Sequence, residues 1–295
     1  MKRVLITGIT GYIGSNLARG LLSDCEVYGL VRQPTNMEYI SDFADQVQLL
    51  SFDGSYDSIE SAVKQAKPDL VFHLAACCAK GNIAKDTPSL IASNITLGGF
   101  LLTAMAATGN QNLVYAATIW EHFRGKEYCP LNLYAAAKHA FSDLVLYYTD
   151  AGMIRAVSLV LSDTYGPGDH RPKILNLVKQ AAESGEVLEL SDGQQDYDVV
   201  YIDDVVRAFR QAGDLLLQRT KWRNETFQVC SPTPLSLRET VDRMLEVNGL
   251  TLNAAWGKRP NAEREIRKAI RLYPALPDWK ARVSLYDGLK GFCEK

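Results

Sequence analysis

The stretch Lys2-Arg3-Val4-Leu5-Ile6-Thr7-Gly8-Ile9-Thr10-Gly11-Tyr12-Ile13-Gly14 decides the fold. A short apolar strand, Lys2 to Thr7, empties into glycines spaced G-x-x-G-x-x-G, and a helical pattern follows from Ser15 to Leu22. Each glycine has a mechanical role. Gly8 makes the tight turn, Gly11 admits backbone close to a pyrophosphate, and Gly14 lets the helix pack on the strand. The helix start then offers free N–H groups and its positive dipole end to an anion. The spacing differs from the commonest dinucleotide fingerprint, G-x-G-x-x-G. The strand before and helix after distinguish it from a mere glycine-rich turn.

Outward from this turn, Glu26 to Val31 is a second strand, whose end is where such a fold reads the adenosine ribose. An acid there would select NAD. Leu30-Val31-Arg32 has none, and a guanidinium suits a 2′-phosphate by charge and bidentate geometry, so NADP(H) is favoured over NAD(H). The alternative is a solvated strand-end cation. Val47 to Phe52 is a third strand, closing on Asp53-Gly54, which suits an adenine contact or a simple turn. Asp69 to Leu74 is a fourth, fully apolar strand; His73 at its end reads as structural, and the small Ala75-Ala76 lets a cofactor pass close. After a loop from Cys78 to Thr87, a long helix runs to about Ala107, with Asn94 facing solvent or bonding backbone. Asn112 to Ala117 is the fifth strand, with Thr118 at its carboxyl end.

Ligands of open α/β sheets bind at that edge, and Thr118, the glycine turn and Ala75-Ala76 converge on it. A helix from about Asn132 to Tyr148 and a sixth strand, Met153 to Leu161, complete a doubly wound parallel α/β sheet. Beyond Leu161 the chain turns polar and turn-rich. A helix from Pro172 to Ser184, a strand at Val187 to Leu190 and a turn at Ser191-Asp192-Gly193 follow. Val199 to Tyr201, the amphipathic Asp203 to Leu217 and Glu225 to Cys230 read as a return to the main sheet. The tail offers a helix near Leu237 to Val247, a basic loop Gly257-Lys258-Arg259-Pro260 and a charged helix Ala262 to Arg271.

Tyr134 and Lys138, four apart among good helix formers, share one helix face. A phenol over an ammonium is a proton-delivery device: the cation favours the phenolate and draws the tyrosine pKa down from about 10. The same pair on a solvated face would do nothing.

The 295 residues, 47% hydrophobic and 22% charged, suffice for one large domain or two unequal ones. A net charge of −2 leaves no electrostatic footprint for nucleic acid or an anionic membrane. No signal-peptide core or apolar run of spanning length is read, and a cytoplasmic location is the expectation. The six cysteines, without CxxC spacing, read as reduced and mostly buried. Four histidines and no ligand-spaced cluster argue against a metal.

In chain order, Gly8/Gly11/Gly14, Asp53-Gly54, His73-Leu74-Ala75-Ala76, Thr118, Tyr134-x-x-x-Lys138, Tyr165-Gly166-Pro167-Gly168 and Val200-Tyr201-Ile202-Asp203-Asp204-Val205 resemble the extended short-chain dehydrogenase/reductases acting on nucleotide sugars, the NAD-dependent epimerase/dehydratase type. Trp120-Glu121-His122, Asn132-Leu133-Tyr134, Arg171-Pro172-Lys173 and Leu276-Pro277-Asp278-Trp279-Lys280 are similar to 4-ketoreductases of the abequose- and paratose-synthase type. The resemblance implies a Rossmann domain of residues 1–162 and 197–230, and a smaller, discontinuous nucleotide-sugar domain of 163–196 and 231–295. It implies Tyr134 as proton donor to a sugar carbonyl, Lys138 on the nicotinamide ribose and Thr118 on the carbonyl oxygen. A cofactor wall of Thr10, Tyr12, Ile13, Leu74, Ala75, Ala76 and Leu161 is implied around the glycines. It also implies a homodimer through the helices at Thr87 to Ala107 and Asn132 to Tyr148.

Two positions depart from that family. Asp163 stands where an Asn is usual, an odd neighbour for a diphosphate, and Tyr197 stands where many members carry Arg. Arg171, Lys173, Arg259 and Arg264 are the candidates to meet the diphosphate, and Trp120 and His122 flank the sugar. Thr118 is followed by Ile119-Trp120, not the Asp-Glu pair of a 4,6-dehydratase. A net NADPH-dependent reduction of a CDP- or dTDP-linked 4-keto-deoxyhexose is the expected activity. A redox-neutral NAD-dependent 4-epimerase is the alternative, and a non-catalytic NADP-binding scaffold or sensor a weaker one.

Overall fold

The computed structural model describes residues 1–78 and 83–293. In chain order the elements are β1 (Lys2–Thr7), α1 (Tyr12–Leu21), β2 (Cys25–Arg32), β3 (Gln48–Phe52), α2 (Tyr56–Ala66), β4 (Leu70–His73), α3 (Ile83–Ile91), α4 (Leu97–Thr108) and β5 (Asn112–Thr118). Then come α5 (Leu133–Asp150), β6 (Arg155–Leu161), β7 (Asp163–Tyr165), α6 (Ile174–Ser184), β8 (Leu188–Glu189), β9 (Asp196–Tyr197), β10 (Val199–Tyr201) and α7 (Ile202–Gln218). The chain ends with β11 (Asn224–Val229), β12 (Leu235–Ser236), α8 (Leu237–Asn248), β13 (Ala254–Ala255) and α9 (Leu285–Cys293).

Seven strands form one parallel sheet in the order β3-β2-β1-β4-β5-β6-β11. The order reverses between β1 and β4, so the chain leaves these two strands in opposite directions and opens a crevice at their carboxyl ends. The strands are near-continuous apolar runs because helices cover both faces. Val4, Ile6 and Phe72 face α1 and α7 through Leu17, Leu21, Val205 and Phe209, while Leu5, Val71 and Tyr115 face α2, α4 and α5 through Val63, Leu101 and Phe141.

Local chemistry sets the helix ends. Ser55 caps α2 by accepting from the Ser58 N–H at 3.2 Å, and Ser236 and Glu239 form a reciprocal capping box at the start of α8. Asn132 accepts from the Ala135 N–H at 2.9 Å, which starts α5 at Leu133 and puts Tyr134 in its first turn.

Several expectations are corrected. Val199–Tyr201 does not rejoin the main sheet; it pairs in parallel with Asp163–Tyr165. These strands adjoin a separate apolar cluster that includes Leu175, Val178, Val241, Met244 and Phe292. The expected helix at Ala262 to Arg271 is an irregular strap. Its Ile266 and Ile270 have helical spacing, but its backbone is claimed by distant side chains: Asp196 accepts from the Ala269 N–H, and Gln228 bonds both the Ile270 carbonyl and the Leu272 N–H. Tertiary partners override the local preference there.

The segment Ala84–Thr108 is, contrary to the sequence reading, long and apolar enough to cross a membrane. Half of its most apolar window is buried within the protein, and α4 packs against α2 and α5, as a core helix does. The helix is not uniform, because residues Ala92–Thr96 form a π turn around Asn94. The loop expected from Cys78 to Thr87 lies partly outside the described residues, and α3 begins within it. All six cysteines carry free thiols, but only Cys25 is buried; Cys78 is exposed and the rest are intermediate.

Candidate active site

The crevice at the β1/β4 switch is a cleft of about 190 Å³ lined by Thr7, Gly8, Thr10, Gly11, Leu30, Arg32, Phe52, Leu74, Ala75, Ala76 and Ser93, among others. Its floor is a contact of two backbones. Gly8 has φ +76, and a Cβ there would lie 2.6 Å from the Ala75 N atom; a Cβ on Gly14 would lie 2.1 Å from the Gly8 carbonyl oxygen. Only glycine permits either approach. Gly11 caps α1 with no side chain, so the first-turn N–H groups have no side-chain acceptor of their own. These features fit a dinucleotide diphosphate: a bare helix start, small walls and a guanidinium at one end. Arg32 supplies that guanidinium, with Nη1 3.5 Å from Ser93 Oγ across the cleft.

Not every expected cofactor residue lies on this cleft. Tyr12 is buried; its hydroxyl donates to the Pro167 carbonyl and its ring carries the Arg171 guanidinium at 4.7 Å. It joins the glycine turn to the Gly166-Pro167 turn. Ile13 packs against the core and Leu161 is part of it, beneath the site. Asp53 and Gly54 form a turn outside the cleft, with Asp53 Oδ1 accepting from the Ser55 N–H at 2.8 Å to begin α2. His73 is structural, as expected: buried, bonded to Thr7 Oγ1 at 2.7 Å, and pushed down to about 3 by burial and the Lys138 charge.

The strand register sets Thr118 beside Leu161 at the sheet's carboxyl edge. A tight turn follows. Thr118 Oγ1 accepts from the Trp120 N–H at 3.3 Å and Glu121 Oε1 accepts from the Thr118 N–H at 3.0 Å. With its oxygen accepting there, the Thr118 hydroxyl keeps its own proton to donate. This turn packs on α5, and the Trp120 and Tyr134 rings meet edge to face at 6.1 Å.

Lys138, one turn along α5, is buried, and burial pushes its ammonium down to about 8 against the opposing charges of Glu121 and Cys78. Tyr134 departs from expectation. Its phenol is held well above the usual tyrosine value, first by burial and then by Cys78, Glu121 and Asp163, with Arg171 opposing. Desolvation outweighs the Arg171 charge and so favours the protonated phenol, the state a proton donor requires.

On the far side of Trp120 lies a second cleft, of about 270 Å³, lined by Trp120, Leu131, Ser162, Asp163, Gln195, Tyr197, Arg264 and Ile266, among others. Asp163, Tyr197, Trp120 and Arg264 thus gather as the sequence suggested. The oddity of Asp163 has a partner: Lys173 Nζ sits 2.6 Å away. Arg264 donates to the Pro130 and Leu131 carbonyls and stacks on Phe123, pinning the strap to the turn. Thr118 and Lys173 adjoin lining residues without lining the cleft themselves, and three further candidates are engaged elsewhere. Arg171 is committed to Asp169, at 2.6 Å, and to the Thr164 carbonyl. Arg259 is exposed, held through its backbone N–H to Leu190. His122 is buried, with Nδ1 2.6 Å from the Glu127 carbonyl and its ring against Tyr273.

Asn94 bonds backbone, one of the two roles read for it, and other neighbours went unmarked. Asn94 is buried, its amide bonding both the Cys77 N–H and the Cys77 carbonyl, so it splints the loop after β4 to the π turn. Its position within an apolar helix was the only signal. Glu121 was legible as the fourth residue of Thr118-Ile119-Trp120-Glu121, a capping-box spacing. Nothing marked Ser162, Asp198 and Arg271, which join β6 to the strap through Asp198 Oδ2 at 2.8 and 2.6 Å.

Comparison with known proteins agrees with this geometry. Residues 4–229 match the model of the NAD dependent epimerase/dehydratase family. The CDP-abequose synthase of Yersinia pseudotuberculosis is 28% identical, over 88% of this chain and 90% of that protein. The ADP-L-glycero-D-manno-heptose-6-epimerase of Cupriavidus pinatubonensis (strain JMP 134 / LMG 1197) is also 28% identical, over 93% and 86%. Among solved structures, a UDP-glucose-4-epimerase from Stenotrophomonas maltophila with bound NAD and formylated UDP-arabinopyranose superposes with a TM-score of 0.86, at 18% identity, covering 99% of this chain and 97% of that one. With its glycine turn, its switch-point crevice and the matching family model spanning most of its length, the chain belongs to the NAD dependent epimerase/dehydratase family.

Proposed function

We propose that this protein reduces the C4 keto group of a CDP- or dTDP-linked 4-keto-deoxyhexose with NADPH. The observation that carries the reading is the Tyr134 ring, in the first turn of α5 and one turn before the buried Lys138, held edge to face against Trp120, which lines the second cleft. Gly8, Gly11 and Arg32 would hold a reduced nicotinamide dinucleotide, which would supply the hydride when bound. Tyr134 donates its phenolic proton to the carbonyl oxygen as that oxygen gains charge. Lys138 stabilises the phenolate left behind, and the Thr118 hydroxyl donates a second hydrogen bond to the same oxygen.

Arg32 favours NADPH, a co-substrate that exchanges at each turnover, and so favours net reduction over a cycle that returns its hydride. Elimination is disfavoured by Glu121, the nearest acid, whose two oxygens are engaged by the Thr118 N–H and His139. The CDP-abequose synthase similarity supports a ketoreductase. The equally identical heptose epimerase supports the alternative, a redox-neutral NAD-dependent 4-epimerase. In the same reading the protein acts as a homodimer through the helices at Thr87 to Ala107 and Asn132 to Tyr148, the second of which exposes Leu146 and Tyr147.

The test is to mix purified protein with NADPH or NADH and CDP-, dTDP-, GDP- or UDP-linked 4-keto-6-deoxyhexoses, following loss of reduced-nicotinamide absorbance. Stoichiometric NADPH consumption with a CDP or dTDP sugar is expected. No consumption with any ketosugar, beside co-purifying NAD and interconversion of 4-hydroxyl epimers, would establish the epimerase instead.

A further inference from the structure

Where α5 begins, two backbone carbonyls lie ahead of the helix. Its ladder opens with the Ala136 N–H donating to the Asn132 carbonyl at 3.0 Å, which leaves the carbonyls of Pro130 and Leu131 without a helical donor. Arg264 takes both. Its Nη2 donates to Pro130 at 2.6 Å and its Nε to Leu131 at 2.8 Å, with the guanidinium 4.7 Å from the centre of the buried Phe123 ring. A planar guanidinium serves two adjacent carbonyls and an aromatic face at once, and an ammonium does not.

The same peptide is held from its other side. The Leu131 N–H donates to the Trp120 carbonyl at 2.8 Å and closes the excursion that leaves the sheet after Thr118. Asn132 then caps α5, and Tyr134 follows in its first turn with its ring 6.1 Å from that of Trp120. The peptide between Pro130 and Leu131 is thus bound at its N–H by Trp120 and at its carbonyl by Arg264. Arg264 in turn has a fixed base, because its strap is tied to residues 191–198: Asn261 donates to Asp192, Gln195 to Glu265, and the Ala269 N–H to Asp196.

We propose that Arg264 is a positioning residue: its fork on Pro130 and Leu131 sets the start of α5, and with it the placement of the Trp120 and Tyr134 rings. The proposal rests on the reading of Tyr134 as proton donor. It replaces the diphosphate role expected of Arg264 from the sequence, since two of its nitrogens already donate to carbonyls.

Two substitutions separate position from charge. Arg264→Lys keeps the charge and loses the fork, and Arg264→Met loses both while keeping an apolar stem. With ketosugar and NADPH, both variants are expected to lower kcat by about ten- to a hundredfold, the scale of a small misplacement of reacting groups, with KM little changed. Wild-type kcat in Arg264→Lys, or a raised KM confined to Arg264→Met, would restore the charge role and overturn the proposal.

The second readout needs no substrate. Protein carrying fluorotryptophan at its four tryptophans is followed by fluorine NMR, the Trp120 line being assigned by its absence in Trp120→Phe. In both Arg264 variants the Trp120 line is expected to move or split while those of Trp222, Trp256 and Trp279 hold, which also shows that the variant is folded. A Trp120 line that stays in place overturns the proposal. Arg267→Met cuts the strap's bonds to Asp192 and Glu265 but leaves the fork, and is expected to leave the Trp120 line where it is. A moved line there overturns the proposal even if no Arg264 variant folds, because any loosening of the strap would then suffice. Failure of every ketosugar in the turnover assay would remove the proposed reaction without touching the fluorine result.

Discussion

Lys173 Nζ lies 2.6 Å from Asp163 Oδ1, so the acid that lines the cleft beside Trp120 is already paired before any ligand arrives. Both side chains are about a third exposed, at 31% and 29%, so the pair contributes little to stability, under about 1 kcal/mol. Its consequence is electrostatic. An unpaired carboxylate would repel a diphosphate, and the ammonium cancels that repulsion.

Lys173→Met should therefore raise the KM for the nucleotide sugar by about tenfold or more, with a smaller effect on kcat. Adding Asp163→Asn should recover most of the loss, because the second change removes the charge that the first uncovers. A double-mutant cycle on KM measures this coupling. Additive effects would show that the two residues act separately.

Tyr134→Phe should lower kcat by about 10³-fold while leaving the NADPH dissociation constant nearly unchanged, since the proton donor is lost and the ring stays. Full turnover in that variant would sink the mechanism. Wild-type activity should be level through neutral pH and decline above about 8, where the buried Lys138 loses its proton. The sign follows from Lys138 being the protonated partner below that value.

Arg32→Asp should weaken NADPH binding by about ten- to a hundredfold, the worth of a charge-assisted hydrogen-bonded pair, while NADH binding holds or improves. Fluorescence titration with each cofactor reads both. A wild type that already prefers NADH would overturn the assignment of Arg32.

His73 is buried as a neutral ring and gains its proton only near pH 3, whereas an unfolded histidine protonates near 6.5. The unfolded chain therefore binds the extra proton between those values. Stability contributed by the neutral ring is present above about pH 6.5 and is lost as the pH falls toward 3, by on the order of 4 kcal/mol. His73→Asn, which offers Thr7 another polar partner, should be less stable at pH 7 but less sensitive to acid. Urea midpoints from pH 7 to 4 provide the check, and parallel slopes in the two proteins would refute it.

What the chain determined by itself was everything that depends on neighbours in sequence. The glycine spacing from Gly8 to Gly14 between a strand and a helix, the Asn132 cap that begins α5, the i, i+4 pairing of Tyr134 with Lys138 and the apolar runs of the sheet are local, and local patterns are readable. The tertiary structure decided what distant residues do to one another. It gave Asp163 its cation, bound Arg171 to Asp169 and Tyr12 instead of the cleft, and turned the charged run at 262–271 into a strap held by Asp196 and Gln228. It also reversed the expected direction for the Tyr134 phenol. The reason is that desolvation and ion pairing depend on what surrounds a group in space, and helical spacing says which face a residue occupies but not what that face meets.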